Sequence, residues 1–374
     1  MQNRIDLIRP DAPAGAQRGP HPVGVRTRTV ISPDQPDVFG EAGARVDRPL
    51  TVELWYPAAA PGAGGANYPT LLRDGHRAVV LHGSAGRDAE PAAGDFPLVI
   101  LSHGYPGNRL FMGHFGEHLA SHGYRVASID HLDSTYGDAA YLANNGLTST
   151  LVHRPGDVAA VAAELGGSYA VIGHSMGGYG ALVLAGAGVA EPALSGGMAP
   201  PHGLWQGCAA PVPPAALKAI LPIGPWGRQR GLWDAAGLAA MRLPCLLMGG
   251  SADGVSGYDT GIRRIFNEVG GPAWLLTFEH AGHCAGAAIP APAEAWEPSP
   301  HMQWPPYSHY ADPAWDAVAM NNIAQHFALA FLDVHLKGNA ERASALGEDW
   351  PKHGFSGGQA PGLRLERRGP ARSA

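Results

Sequence analysis

The eight residues Val171-Ile172-Gly173-His174-Ser175-Met176-Gly177-Gly178 constrain this chain more than any other stretch. A short β-branched apolar run, Tyr169 to Ile172, leads into them, and a proline-free Ala/Leu/Val-rich run, Tyr179 to Gly188, leads out. Ser175 is therefore predicted at a sharp junction between a buried strand and a helix. A side chain at Gly173 or Gly177 would collide with the neighbouring strand or helix, and the serine itself must take a strained conformation that projects its hydroxyl outward. The following helix would aim its free N–H groups and positive dipole end at the place where an oxyanion forms. With 52 glycines in the chain a bare G-x-S-x-G arises easily by chance. The flanking strand, the flanking helix and the extra glycine at Gly178 single this copy out as a nucleophilic serine.

These residues resemble the α/β-hydrolase fold, and the resemblance runs from about Leu50 to about Lys337. Five segments are similar to the dienelactone-hydrolase-like and platelet-activating-factor-acetylhydrolase-like esterases, with similarity to cutinase-type polyester hydrolases. They are Gly19-Pro20-His21-Pro22-Val23-Gly24, Leu54-Trp55-Tyr56-Pro57, Ser102-His103-Gly104-Tyr105, the serine motif, and Phe331-Leu332-Asp333-Val334-His335-Leu336-Lys337-Gly338. The resemblance implies an α/β fold with a mostly parallel eight-stranded sheet flanked by helices and carrying lid-like insertions. It also implies a serine carboxylic ester hydrolase. Residues 1–24 are expected to be an arm, 25–338 the catalytic domain with insertions at about 189–216 and 285–313, and 339–374 a tail that adds little.

A chain of 374 residues with 45% hydrophobic content is ample for one α/β domain. Only 16% of residues are charged, the net charge is −6 and the basic residues are scattered, which argues against nucleic acid or an anionic membrane as partner. A small-molecule ester is the expected partner, with the oligomeric state left open and a homodimer among the options. Cys208, Cys245 and Cys284 form no C-x-x-C spacing and cannot all pair, so neither a disulfide framework nor a cysteine metal site is expected. No run of about 18 apolar residues occurs and the first residues lack the apolar core of a secretory signal, so a cytoplasmic location without a membrane span is the expectation.

Along the chain, Val25 to Ile31 and Leu50 to Tyr56 are expected to pair as an opening hairpin, and Phe96 to Ser102 reads as a central parallel strand. The loop after it, His103-Gly104-Tyr105-Pro106-Gly107, is where the resemblance puts one oxyanion donor, the N–H of Tyr105, with Met176 N–H as the second. The helix expected over Arg109 to His122 contains His114-Phe115-Gly116-Glu117-His118, a formal H-x-x-E-H match. We read its histidines as surface or capping residues, because no third ligand is evident and the helix follows the oxyanion loop. Pro155 to Leu165 reads as a crossover helix that starts on its proline. Glu191 to Pro214 reads as a lid or surface excursion. His174, inside the serine motif, and Trp226, at the end of the strand Ala219 to Ile223, are candidate substrate contacts, although Trp226 equally suits the core.

The acid is expected in Gly249-Gly250-Ser251-Ala252-Asp253, at the end of the strand Pro244 to Met248, which makes Asp253 the candidate ahead of Asp259 and Asp234. The acetylhydrolase-like relatives carry it after the previous strand, where this chain has Gly224-Pro225. His283, in Glu279-His280-Ala281-Gly282-His283-Cys284, is the expected base, with His280 the alternative. The order Ser, Asp, His is that of α/β-hydrolases. The chemistry so read needs no metal or organic cofactor. An acyltransferase or lactone hydrolase with the same triad, or a binding protein that has lost the chemistry, are the other readings. The insertion Ala285 to Pro313, rich in aromatic residues and proline, reads as a substrate flap or an oligomer contact.

Overall fold

The structure is a computed structural model and describes residues 3–369. Its strands, in chain order, are β1 (Val23–Pro36), β2 (Arg45–Pro57), β3 (Asn67–Leu71), β4 (Ala78–His82), β5 (Gly86–Arg87), β6 (Leu98–Ser102), β7 (Arg125–Asp130), β8 (Tyr169–His174), β9 (Leu217–Ile223), β10 (Cys245–Gly250), β11 (Ala273–Phe278) and β12 (Leu363–Arg368). β3 and β4 form a separate hairpin, and the others make one sheet in the order β12-β11-β10-β9-β8-β6-β7-β2-β1-β5. From β7 to β11 the pairing is parallel, while β1–β2, β2–β7 and β11–β12 are antiparallel.

Period-two alternation sorts the central strands onto two cores. Val99, Leu101, Ala170, Ile172 and Leu221 face the helices Gly113–Ser121 and Ala317–Lys337 through Phe115, Leu119, Phe327 and Phe331. Leu98, Ile100, Val171, Ile220 and Leu247 face the helices Gly146–Leu165 and Met176–Leu184 through Leu151, Val158, Val161 and Leu182. Both faces of the parallel strands are covered, which is why these strands read as unbroken apolar runs. This is the α/β-hydrolase arrangement. The chain direction of the crossovers reverses between β6 and β8, and the carboxyl ends of those two strands open onto the crevice where such sheets gather ligands.

Among the described residues the sheet has ten strands, not eight. One addition is the two-residue β5, and the other is β12, drawn from the segment expected to be an idle tail; it pairs antiparallel with β11 over its whole length. The N-terminal segment is likewise not a loose arm over the described residues. Ile5 is buried and pairs with His82 through the main chain, and Arg9 N–H and Gly15 N–H donate to Asn322 and His326 of the long C-terminal helix. The alternation rules could not see these segments because each is held by main-chain pairing or by main-chain bonds to side chains of distant elements. Helix Gly113–Ser121 is shorter than expected, the turn before it being held by Asn108 and Asp130.

Pro155 does not start its helix, which already begins at Gly146. A proline inside a helix removes the N–H that would bond the carbonyl four residues earlier, here Leu151. That carbonyl is taken instead by the Tyr179 hydroxyl at 2.8 Å, so the interior proline leaves no buried acceptor orphaned. Tyr179 in turn accepts from Trp205 Nε1–H at 2.7 Å, which anchors the 189–216 excursion by a tryptophan that is 1% exposed. Among the described residues no helix is long and apolar enough to cross a membrane.

Candidate active site

Ser175 sits between β8 and the helix Met176–Leu184 with φ 53° and ψ −112°, outside the comfortable region for a residue with a Cβ. The glycines around it explain how this turn is possible. A Cβ on Gly173 would meet the Gly177 carbonyl, and one on Gly177 would meet the carbonyl of Ser102 on the neighbouring β6. The elbow is pinned from the other side by β9, since Ser175 N–H donates to Ile223 O at 2.9 Å and Trp226 N–H to Ser175 O at 3.2 Å.

The structure brings Ser175, His283 and Asp253 together. Ser175 Oγ lies 3.0 Å from His283 Nε2, and His283 Nδ1 lies 2.9 Å from Asp253 Oδ2. The other Asp253 oxygen accepts the N–H groups of Val255 at 2.8 Å and Ser256 at 2.9 Å. Burial of this carboxyl opposes its ionisation, but the His283 bond and the two main-chain donors outweigh burial and hold it below its ordinary range. The rival residues lie elsewhere. Asp234 caps the helix Ala235–Ala240, Asp259 is exposed, and His280 is exposed with φ 65°.

Gly224, directly after β9, lies against the Asp253–His283 pair. A side chain there would lie 3.2 Å from Asp253 Oδ2 and 3.3 Å from His283 Nδ1, at a φ of +49°. The position faces the Asp–His pair, and its carbonyl accepts from Ser256 Oγ at 2.7 Å, so it steadies the loop that presents Asp253.

Among the described residues no acceptor takes the N–H of Tyr105 or of Met176. The carbonyl before Tyr105 is fixed: Gly104 O accepts from Arg154 Nη2 at 3.0 Å and lies 2.7 Å from His103 Nδ1. Arg154 also reaches His103 O and Ser134 Oγ. It is 1% exposed, and burial pushes its pKa down to about 9. Sequence reasoning missed this residue, because it precedes a proline that was taken for a helix start.

Beneath the same loop lies a second serine–histidine–aspartate array. Ser102 Oγ is 2.9 Å from His131 Nε2, and His131 Nδ1 is 2.9 Å from Asp157 Oδ2, with Arg48 Nε 3.4 Å from Asp157 Oδ1. Burial, then the charges of Arg154 and Arg48, keep the His131 imidazole neutral. Exposure separates the two arrays. Ser102 is 0% exposed and cannot meet a substrate, whereas the His283 side chain is 16% exposed and Ser175 7%.

His174 is buried, and its Nε2 lies 3.1 Å from the His283 carbonyl. The contacts of this ring are therefore with the base loop and with Phe111, not with the space a substrate would occupy, which corrects the expectation of a substrate contact. Burial pushes its pKa down to about 3. Trp226 is half-buried at the end of β9 and packs against the core beside the elbow. His114 and His118 are not surface or capping residues. Both are buried, and Glu117 between them accepts from the Tyr68 hydroxyl, the Ser84 N–H and the Ser84 hydroxyl. Among the described residues no group of three or more His, Cys, Asp or Glu side chains is placed to hold a metal ion.

Comparison with known proteins agrees with the fold. The family model for platelet-activating factor acetylhydrolase, isoform II, matches residues 75–149. Cutinase 2 of Thermobifida cellulosilytica is 29% identical over 176 residues, which are 46% of this chain and 54% of that protein. Cutinase cut1 of Thermobifida fusca is 29% identical over 176 residues, 46% of this chain and 44% of that protein. The chain thus spans about half the length of the cutinases it matches. A solved structure, the ferulic acid esterase from Streptomyces cinnamoneus, superposes with a TM-score of 0.61 at 21% identity, covering 91% of this chain and 94% of that one.

Proposed function

We propose that the protein is a serine carboxylic ester hydrolase working through an acyl-enzyme on short or medium acyl esters or aromatic esters. The observation that carries this reading is the 3.0 Å and 2.9 Å relay from Ser175 through His283 to Asp253, built on a strained elbow. His283 takes the proton of Ser175 as Oγ attacks the ester carbonyl, and Asp253 holds the ring in the tautomer with its hydrogen on Nδ1 and stabilises the imidazolium. Tyr105 N–H and Met176 N–H receive the oxyanion; one such donor is worth about 3 kcal/mol of barrier. The imidazolium returns its proton to the leaving alcohol, and a water deprotonated by His283 then releases the acid. Relatives described as cutinases and an esterase support an ester over an amide.

The test is hydrolysis of p-nitrophenyl esters from acetate to laurate by the wild type, Ser175→Ala and His283→Ala. The expected result is turnover that both substitutions lower by about three orders of magnitude or more. Activity surviving Ser175→Ala overturns the mechanism.

A further inference from the structure

Among the described residues, the half-buried Arg73 is a cation near this site with no carboxylate partner. It follows β3 in the hairpin that packs over the oxyanion loop: Thr70 Oγ1 accepts from Asn108 at 2.8 Å, and the Arg73 carbonyl accepts from the Tyr141 hydroxyl at 3.2 Å. Tyr141 meets the ring of Tyr105 edge-on, with centroids 6.1 Å apart. Its guanidinium reaches across to the 285–313 insertion, where Nη1 donates to His309 Nδ1 at 2.5 Å. Among the described residues no carboxylate lies within 4 Å of it, and its Nε and Nη2 make no hydrogen bond. That edge is the fork with which Arg4 holds Asp6 and Arg228 holds Glu268 in this same molecule.

The position is joined to the triad by a column of rings. His309, Phe111 and His174 stack with centroids 5.0 Å and 5.3 Å apart and interplanar angles of 29°. His174 lies against His283 with centroids 4.8 Å apart. His309 cannot serve as the missing anion. It accepts from Arg73 on Nδ1, and its Nε2 lies 2.9 Å from the Tyr136 hydroxyl, a pattern for a neutral ring that orients the guanidinium. A partly desolvated guanidinium with one edge unpaired is completed best by a bidentate carboxylate.

We propose that Arg73, oriented by His309, is a carboxylate subsite, and that the preferred substrate is an ester bearing a free carboxylate, such as the half-ester of a dicarboxylic acid. This rests on the hydrolase reading of the same site. The ester would place its carbonyl at Ser175 and its carboxylate on the Nε and Nη2 edge of Arg73.

The test compares kcat/KM for mono-p-nitrophenyl glutarate and for p-nitrophenyl pentanoate, its neutral counterpart of equal chain length, in the wild type, Arg73→Met and Arg73→Lys. The expected result is a wild-type preference for the anionic ester of roughly tenfold or more, lost in Arg73→Met and kept in part in Arg73→Lys. A merely structural tie to the insertion would lower both rates and leave their ratio in place, which overturns the subsite. So does a wild type that hydrolyses the pentanoate as well as the glutarate. Failure of the hydrolase reading looks different: neither ester is turned over, and Ser175 is not labelled by a fluorophosphonate.

Discussion

Arg154 Nη2 donates to the Gly104 carbonyl across 3.0 Å, and that bond governs which way the next N–H faces. In a planar peptide the carbonyl and N–H point in opposite directions. With Gly104 O drawn toward the buried guanidinium, Tyr105 N–H is turned to the other side, where no protein acceptor among the described residues meets it. Arg154→Lys retains the charge but loses the planar fork that serves His103 O, Gly104 O and Ser134 together. We expect a roughly ten- to hundredfold fall in kcat on a p-nitrophenyl ester with little change in KM, somewhat less than the loss of a whole oxyanion donor. A folded Arg154→Lys protein with wild-type kcat would remove Arg154 from the oxyanion loop's support.

Gly224 allows a finer test of the acid–base pair. Alanine there meets two penalties: φ of +49° disfavours any Cβ by roughly 1–2 kcal/mol, and the new methyl presses on Asp253 Oδ2 and His283 Nδ1. Gly224→Ala is expected to fold with about 1–2 kcal/mol less stability and to lose activity by roughly tenfold or more, because displacement of a catalytic group by a fraction of an ångström is felt strongly. Gly177→Ala, which drives its methyl into the Ser102 carbonyl, is expected not to accumulate as folded protein. Urea titration and kcat on purified Gly224→Ala measure the first expectation, and the yield of soluble Gly177→Ala against wild type measures the second. Wild-type activity in Gly224→Ala would show that the pair tolerates crowding.

The elbow, the parallel strands and the order of Ser175, Asp253 and His283 were legible because each depends on local pattern: β-branched runs, glycines at fixed offsets, loops at strand ends. The residues that orient them were not. Arg154 and Gly224 meet partners 50 and 59 positions away along the chain, just as Arg73 meets His309 236 positions away, and no periodicity encodes such pairings. Pro155 was misread for the same reason. The hydroxyl that makes an interior proline tolerable belongs to Tyr179, on another helix. β12 and the N-terminal segment were underestimated because pairing with a distant strand, or main-chain bonds to side chains of a distant helix, leaves little mark on composition.

The chain from Trp205 through Tyr179 to Leu151 bears on whether the 189–216 excursion moves. Trp205 is 1% exposed, and its Nε1–H feeds the hydroxyl that caps the Leu151 carbonyl. Opening this segment would expose a tryptophan and leave polar groups unpaired, so it is expected to behave as a fixed wall. Trp205→Phe should cost about 1–3 kcal/mol in urea unfolding, while limited proteolysis of the wild type should spare residues 189–216 until global unfolding. Rapid native-state cleavage within that segment would restore the view of a mobile lid.

Buried histidines contribute to the acid limit of the fold; burial holds His103, His118, His131 and His309 well below the ordinary imidazole range, and four others are pushed down as well. Burial pushes His114 and His174 down to about 3 and His153 and His326 down to about 4. In the unfolded chain each titrates near 6.5. Between those values the unfolded state binds a proton that the folded state refuses, so stability is fully present above about pH 6.5 and is lost as pH falls. The loss continues to about 4 for His153 and His326 and to about 3 for the other two. Each group contributes about 1.4 kcal/mol per pH unit in that window, so these four acting together contribute up to about 5.6 kcal/mol per unit to the slope. Urea midpoints at pH 7.5, 6.5, 5.5 and 4.5 should therefore drop with increasing steepness below 6.5. His326→Asn, which cannot titrate, should shallow the slope by up to one proton's worth. A midpoint that stays flat from pH 7.5 to 4.5 would mean that these rings find their protons in the folded state.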